Sequence, residues 1–250
     1  MMNEISLRSY IREIEGMVNR NQNEEAISHS RHILTSYPRY IDAYRVLGKA
    51  LLENQRFGDA ADIFQRVLSS VPDDYVSHVG MSMVREDEGN LNEAIWHMER
   101  AFEVQPANSL IQDELRRLYG RRDGVEPPKI RLTRGALARM YDKGDLYQQA
   151  ITELRATLAE EPGRYDLQTL LATIYLKTGQ KVKAAETANN ILRNLPNCLV
   201  PIKIMTQILS ESDREDEAKN LFEKLNQLDP YSRFTSTKTP SSESVSENAF

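Results

Sequence analysis

Cysteine is almost missing: Cys198 is the only one in 250 residues. That excludes an internal disulfide and any cysteine-rich metal centre. Glycine-rich phosphate loops are absent too. No G-x-x-x-x-G-K followed by Ser or Thr occurs, and no G-x-G-x-x-G, so nothing announces a nucleotide cradle. Neither H-E-x-x-H nor G-x-S-x-G is present, which removes the common metalloprotease and serine-hydrolase signatures. No apolar run approaches the ~18 residues of a membrane span. The N-terminus, MMNEISLRSYIREIEG, has no apolar stretch of the signal-peptide kind, so the expected location is cytoplasmic. The formal net charge of −5 opposes a phosphate backbone, which argues against nucleic acid as a partner.

What is present is a period. Proline recurs at Pro38, Pro72 and Pro106, and again at Pro162, Pro196 and Pro230, each step within a trio being 34 residues. An alanine stands twelve residues ahead of every one of them: Ala26, Ala60, Ala94, Ala150, Ala184 and Ala218. Proline lacks the N–H and clashes with the preceding turn, so it ends a helix. The alanine marks a helix crossing too close for a larger side chain. In Ile41–Asp74, Tyr44, Leu47, Leu51 and Leu52 fall at helical spacing, and after the polar stretch Glu53–Arg56 so do Ala60, Phe64, Val67 and Leu68. This unit is a pair of antiparallel amphipathic helices, neither able to bury its stripe alone.

The chain resembles the tetratricopeptide repeat family. The residues that carry the resemblance are Tyr44, Leu47-Gly48, Leu51, Ala60, Phe64, Val67 and Pro72 in Ile41–Asp74, and Leu171-Ala172, Tyr175, Gly179, Ala184, Ile191 and Pro196 in Tyr165–Cys198. The resemblance covers residues 7–232 and implies an all-α fold: an α-solenoid, a right-handed superhelix of antiparallel helix pairs, with six full 34-residue repeats plus a half repeat. Leu7–Tyr40 departs from the pattern in its first helix, as expected of a terminal cap.

The step from Pro106 to Pro162 is 56 residues, a repeat and 22 more. Ser109–Tyr119 reads as a first helix without a second, and RRDGVEPPKI then breaks the pattern with Gly124 and Pro127-Pro128. The expected organisation is an extension at 1–6, repeats one to three at 7–108, a half repeat and basic loop at 109–130, repeats four to six at 131–232, and a Ser/Thr-rich tail at 233–250. The superhelix is expected to change direction at the half repeat, leaving two semi-independent blocks. The tail is expected to be disordered, because its scattered apolar residues cannot offset its ordering entropy. Phe222, Leu225 and Leu228 would then lie at an open end, available to a second copy of the chain, unless the chain is a piece of something longer.

From Arg116 to Arg134, seven cations (Arg116, Arg117, Arg121, Arg122, Lys129, Arg131, Arg134) face two acids, Asp123 and Glu126. Arg121, Arg122, Lys129 and Arg131 form either a docking loop for an acidic segment or for phosphate, or a solvated loop after a helix C-terminus. His29 and His32 have metal-compatible spacing but no third ligand nearby, so no metal or cofactor is expected. Asp73-Asp74 and Glu160-Glu161 sit at repeat ends, where acids favour turns and helix starts rather than catalysis. Trp96 reads as a contact point or as half-buried against a neighbouring repeat.

The resemblance implies a non-catalytic scaffold that holds a peptide or helix of a partner protein in the concave face lined by first helices. The alternatives are a self-associating structural module, with homodimers through the solenoid end, or an accessory region of a larger enzyme or regulator. Groove positions of the repeat map onto Asp42, Arg45 and Lys49; Val79, Met83 and Glu86; Asp113 and Arg117; Arg139; and Asp166, Thr169 and Thr173. Family members that clamp a chaperone tail need a set that this chain lacks: Gly80 stands at the required Asn, and Leu110 and Glu114 replace the last Lys–Arg pair. The mixed groove suits an amphipathic segment carrying some acid.

Overall fold

The computed structural model describes all residues except 1–4, 213, 236–241, 247–248 and 250. Thirteen α-helices and no strand occur among the described residues. They pair as expected: α1 (Leu7–Asn19) with α2 (Asn23–Ser36), α3 (Ile41–Glu53) with α4 (Phe57–Ser70), and α5 (Tyr75–Asp87) with α6 (Leu91–Val104). After the lone α7 (Ser109–Asp123) come α8 (Arg134–Lys143) with α9 (Tyr147–Glu160), α10 (Tyr165–Lys177) with α11 (Lys181–Asn194), and α12 (Leu199–Ser210) with α13 (Glu215–Leu228). The fold is an α-solenoid of helix pairs.

The repeated residues do what their spacing requires. Ala26, Ala60, Ala94, Ala150 and Ala184 are wholly buried at the crossings, and Ala218 nearly so. The fifteenth residue of each described turn within a pair is left-handed: Asn21, Gln55, Gly89, Asp145 and Gly179 all have φ between 57° and 78°. That one residue turns the chain between the two helices. Asn and Asp tolerate the conformation by local hydrogen bonding, and Gly does so at no steric cost.

The half repeat redirects the chain. Gly124, at φ 81°, stops α7, and Pro127-Pro128 forbids a companion helix. Both α7 and α8 then pack on α6, so the second block sets off from the side of the first rather than from its end. As a result the two blocks lie edge to edge and antiparallel. The turn around Pro38 faces Asn226, Gln227 and Pro230 across a cavity of about 390 Å³. Pro72 and Leu68 face Gly163, Tyr165 and Leu195 across another of about 280 Å³. Glu103, at the end of α6, meets Arg164 in the turn before α10.

This seam alters three expectations. The blocks are not independent, since Ile41 and Val67 share an apolar cluster with Ile202, Leu225 and Leu228. The end of the stack is therefore not open: Leu225 and Leu228 are buried against repeat two, where water would otherwise meet them. The tail is not wholly unordered either. Pro230–Phe234 forms a 3-10 helix whose Tyr231 is fully buried in the core of repeats one and two. Val245 joins the same core; the rest of the tail expectation, at 236–241, 247–248 and 250, lies outside the described residues.

Candidate functional site

The expected groove residues divide into two sets. The first set is consumed by the seam. Arg164 donates from Nε and Nη2 to the two carboxylate oxygens of Asp166, at 2.8 and 2.7 Å, and also pairs with Glu103. Thr133 donates its hydroxyl to Glu103 at 2.7 Å. Arg139 pairs with Asp73 at 3.1 Å and approaches Asp166 at 3.6 Å. Glu103, Arg164 and Asp166 are all buried, as is Thr169, whose hydroxyl donates to the Asp166 carbonyl. Burial alone would raise the Asp166 carboxyl, but the Arg164 guanidinium, with Arg139 and Arg100 behind it, holds it below the usual carboxylate range. Gly135 makes room for this cluster, because a Cβ there would strike the Glu103 carboxylate. Arg139, Asp166 and Thr169 thus lie inside the molecule; Arg139 joins the two blocks through Asp73, and Asp166 holds Arg139 and Arg164 in place rather than lining an open face.

The second set stays on the first block. Arg45 donates to Asp74 at 2.7 Å and pairs with Asp42, so both are tied to the start of α5. Glu86 accepts from Arg117 at 2.7 and 2.5 Å and pairs with Arg121; the bonds from Arg117 hold its carboxyl below the ordinary value. Asp113 pairs with Arg116 on the exposed side of α7. Lys49, half-buried, has no ion pair among the described residues. Met83 is 43 % exposed and Val79 packs partly on the α6–α7 core. Thr173 is half-buried on α10, bonded to the Thr169 carbonyl, away from this set. Of the charged residues in the expected groove set of the first block, Lys49 is the one without an ion pair among the described residues, and Met83 holds the same position in the next repeat.

The basic loop is largely neutralised. Arg121 is spent on Glu86, and Arg122 clasps Asp123 at 2.7 and 2.8 Å while lying over the Tyr119 ring. Lys129 and Arg131 are exposed and without an ion pair among the described residues. The sequence could not show these pairings, since Glu86 lies 31 and 35 residues from its partners.

Sequence reading also missed an aromatic nest at the seam. Trp96, 42 % exposed, sets its ring edge to face with His97 at 4.9 Å, and the Arg100 guanidinium stacks on it. His78 Nε2 donates to the Pro72 carbonyl at 3.0 Å. Its neutral Nδ1 is then an acceptor for His97 Nδ1–H, 3.0 Å away. Burial lowers both imidazoles, His97 to about 3, with His78, Arg85 and Arg100 adding repulsion there. The only sequence signal was the nineteen-residue spacing His78–His97, which Tyr10–His29 repeats: Tyr10 hydroxyl and His29 Nδ1 lie 2.6 Å apart. No group of three metal-ligating side chains occurs among the described residues, and no helix there is long and apolar enough to cross a membrane.

Helix pairs at a constant period, stacked on buried alanines, define a helical-repeat protein. Tetratricopeptide repeat family models match residues 18–75 and 145–208, so each block carries tetratricopeptide repeats. No curated protein matches it. Among solved structures it is similar to Naa15/Naa10 bound to HypK-THB, at 18 % identity and a TM-score of 0.42, over 88 % of this chain and 36 % of that one. It is also similar to pilF of Pseudomonas aeruginosa (15 %, TM-score 0.36, 89 % and 91 % covered). A tetratricopeptide repeat protein from Parabacteroides merdae matches at 12 % identity and a TM-score of 0.39, over 89 % and 78 %. The chain spans about a third of the first of these, 36 %. Similarity at this level says nothing of what this chain binds.

Proposed function

We propose that the chain is a non-catalytic scaffold that recruits another protein by holding an amphipathic, partly acidic segment on the concave face of its first block. The observation that carries this reading is the Lys49 ammonium, without an ion pair among the described residues, on a face that exposes Met83 and half-exposes Val79, with Asp42, Arg45, Glu86 and Arg117 already matched. A preformed, unspent cation beside apolar surface favours a ligand that supplies both a carboxylate and a hydrophobic side chain. The arginine partners of the buried carboxylates Glu103 and Asp166 favour a structural rather than a catalytic use for both.

The test is capture of partners by the full chain carrying Lys49→Glu with Met83→Asp. Arg45 is unsuitable, because Arg45→Glu would set a third carboxylate beside Asp42 and Asp74 and disturb the fold. Partners that the natural chain retains should be lost from the double variant while its helical content and melting temperature persist. Undiminished capture contradicts this placement of the surface.

A further inference from the structure

The concave face of the first block is already occupied at its N-terminal end, and by the chain itself. Arg8 and Asp42 hold the same position, the second, in the first helices of repeats one and two. Arg8 donates from Nη1 to the Val245 carbonyl at 2.9 Å and from Nη2 to the Ser242 carbonyl at 2.6 Å. Its guanidinium stacks on the Tyr231 ring at 3.7 Å, and its backbone N–H donates to the Tyr231 hydroxyl at 3.1 Å. Val245 is buried in the core that Leu7 and Ile11 begin. Glu243 lines a cavity of about 200 Å³ together with the cations Arg8, Arg45 and Lys203 and the acids Asp42 and Asp229.

These contacts have the form of peptide recognition. One arginine reads two backbone carbonyls three residues apart, an aliphatic side chain fills an apolar site, and an acid lines a cavity of mixed charge. Backbone carbonyls carry no sequence information, so specificity comes chiefly from the aliphatic anchor. We infer that this surface is a recognition site for a Ser-Glu-Ser-Val-like segment, small and polar with one acid and one buried aliphatic residue, and that the tail holds it shut in cis. The inference rests on the concave face being the recruiting surface and names the kind of partner that its N-terminal end takes: one whose segment displaces the tail.

A cis segment competes at the high effective concentration of a tether, so a free peptide binds the natural chain poorly. The probe is a fluorescent synthetic peptide of residues 236–250, followed by anisotropy against the full chain. Val245→Asp in the full chain should eject its own tail and bind the probe at least tenfold more tightly than the natural chain does. Adding Arg8→Ala to that variant should weaken the probe at least tenfold, and a probe that itself carries V245D should not bind. Equal affinity for the natural and Val245→Asp chains, or no binding to Val245→Asp, overturns the proposal. The tail variant leaves Lys49 and Met83 untouched. Partner capture that still depends on them while the probe fails therefore removes tail occupancy alone, and the reverse removes the recruiting face alone.

Discussion

The two blocks share a 34-residue period and differ in how they fill it. In the first, the bulky residue at the second-helix crossing is Phe64, and its ring is received by glycines on both sides. A Cβ on Gly48 would lie 2.6 Å from the ring, and one on Gly80 closer still. In the middle repeat of the second block the equivalent of Phe64 is Ala188, wholly buried, and the equivalent of Gly48 is Ala172, while Leu154 and Phe222 hold the Phe64 position in the repeats on either side. A ring seated between glycines is thus replaced by two small residues, and the side chain at either position has to match the one it meets, as close packing requires.

The blocks differ again at their edges. In an extended ribbon the turns between repeats face water, and acids or arginines there cost nothing. Here Asp73 pairs with Arg139 and Glu103 with Arg164 across the seam, and Asp166 holds both arginines from within the second block. Removing one partner from a buried pair strands the other charge, which is the most damaging change this architecture offers. Arg164→Ala, leaving Glu103 and Asp166 without their main cation, should cost about 3–5 kcal/mol in urea unfolding. A loss below about 1 kcal/mol would mean the seam is solvated.

Gly80→Ala sharpens the packing difference between blocks. It should cost about 1–3 kcal/mol by forcing the Phe64 ring aside, and so should Ala60→Leu at its crossing. Gly80→Ala combined with Phe64→Leu should recover part of that loss, because the shorter side chain leaves room for the added methyl. Thermal denaturation of the three chains checks this.

Acid should then loosen the seam. His78 and His97 have lowered folded-state values, so the unfolded chain takes up protons first as pH falls through about 6.5. Their contribution is complete above that pH and is lost progressively toward about 3, the folded value of His97. Stability measured from pH 7.5 to 4.5 should fall, and His97→Gln should flatten the fall. The smallest effect concerns a turn: Gln55, at φ 58°, is a poor left-handed residue, and Gln55→Gly should gain about 0.5–1 kcal/mol in the same unfolding assay.

Most of the helical architecture was legible because it is local. Alternating stripes, a proline and an alanine per repeat placed the helix pairs, and Gly124 with the proline pair placed the break. The half-repeat helix runs to Asp123, four residues past Tyr119, because arginines favour the last turn of a helix. The seam was not legible. Arg139 reaches Asp73 across 66 residues and Arg164 reaches Glu103 across 61, with no period to betray either contact. Charged residues at groove positions read as solvent-facing whether or not a second block covers them, which is why Asp166 and Arg139 looked available. A clue did exist in Ile41 and Leu199, apolar first residues of their helices that an extended ribbon would leave wet. The tail was illegible for another reason. Its composition argues for disorder, and its order depends on Arg8, more than 230 residues away.

The account stands on the chain folding back so that the turn of repeats one and two meets the end of repeat six. Spin labels on Ser36→Cys and Gln227→Cys test this directly, since both residues line one cavity and the buried Cys198 stays unlabelled. Pulsed dipolar spectroscopy should return one short distance, the width of that cavity plus the two labels. A distribution centred beyond about 50 Å, as expected of an extended stack in which each helix adds about 8–10 Å, would contradict it.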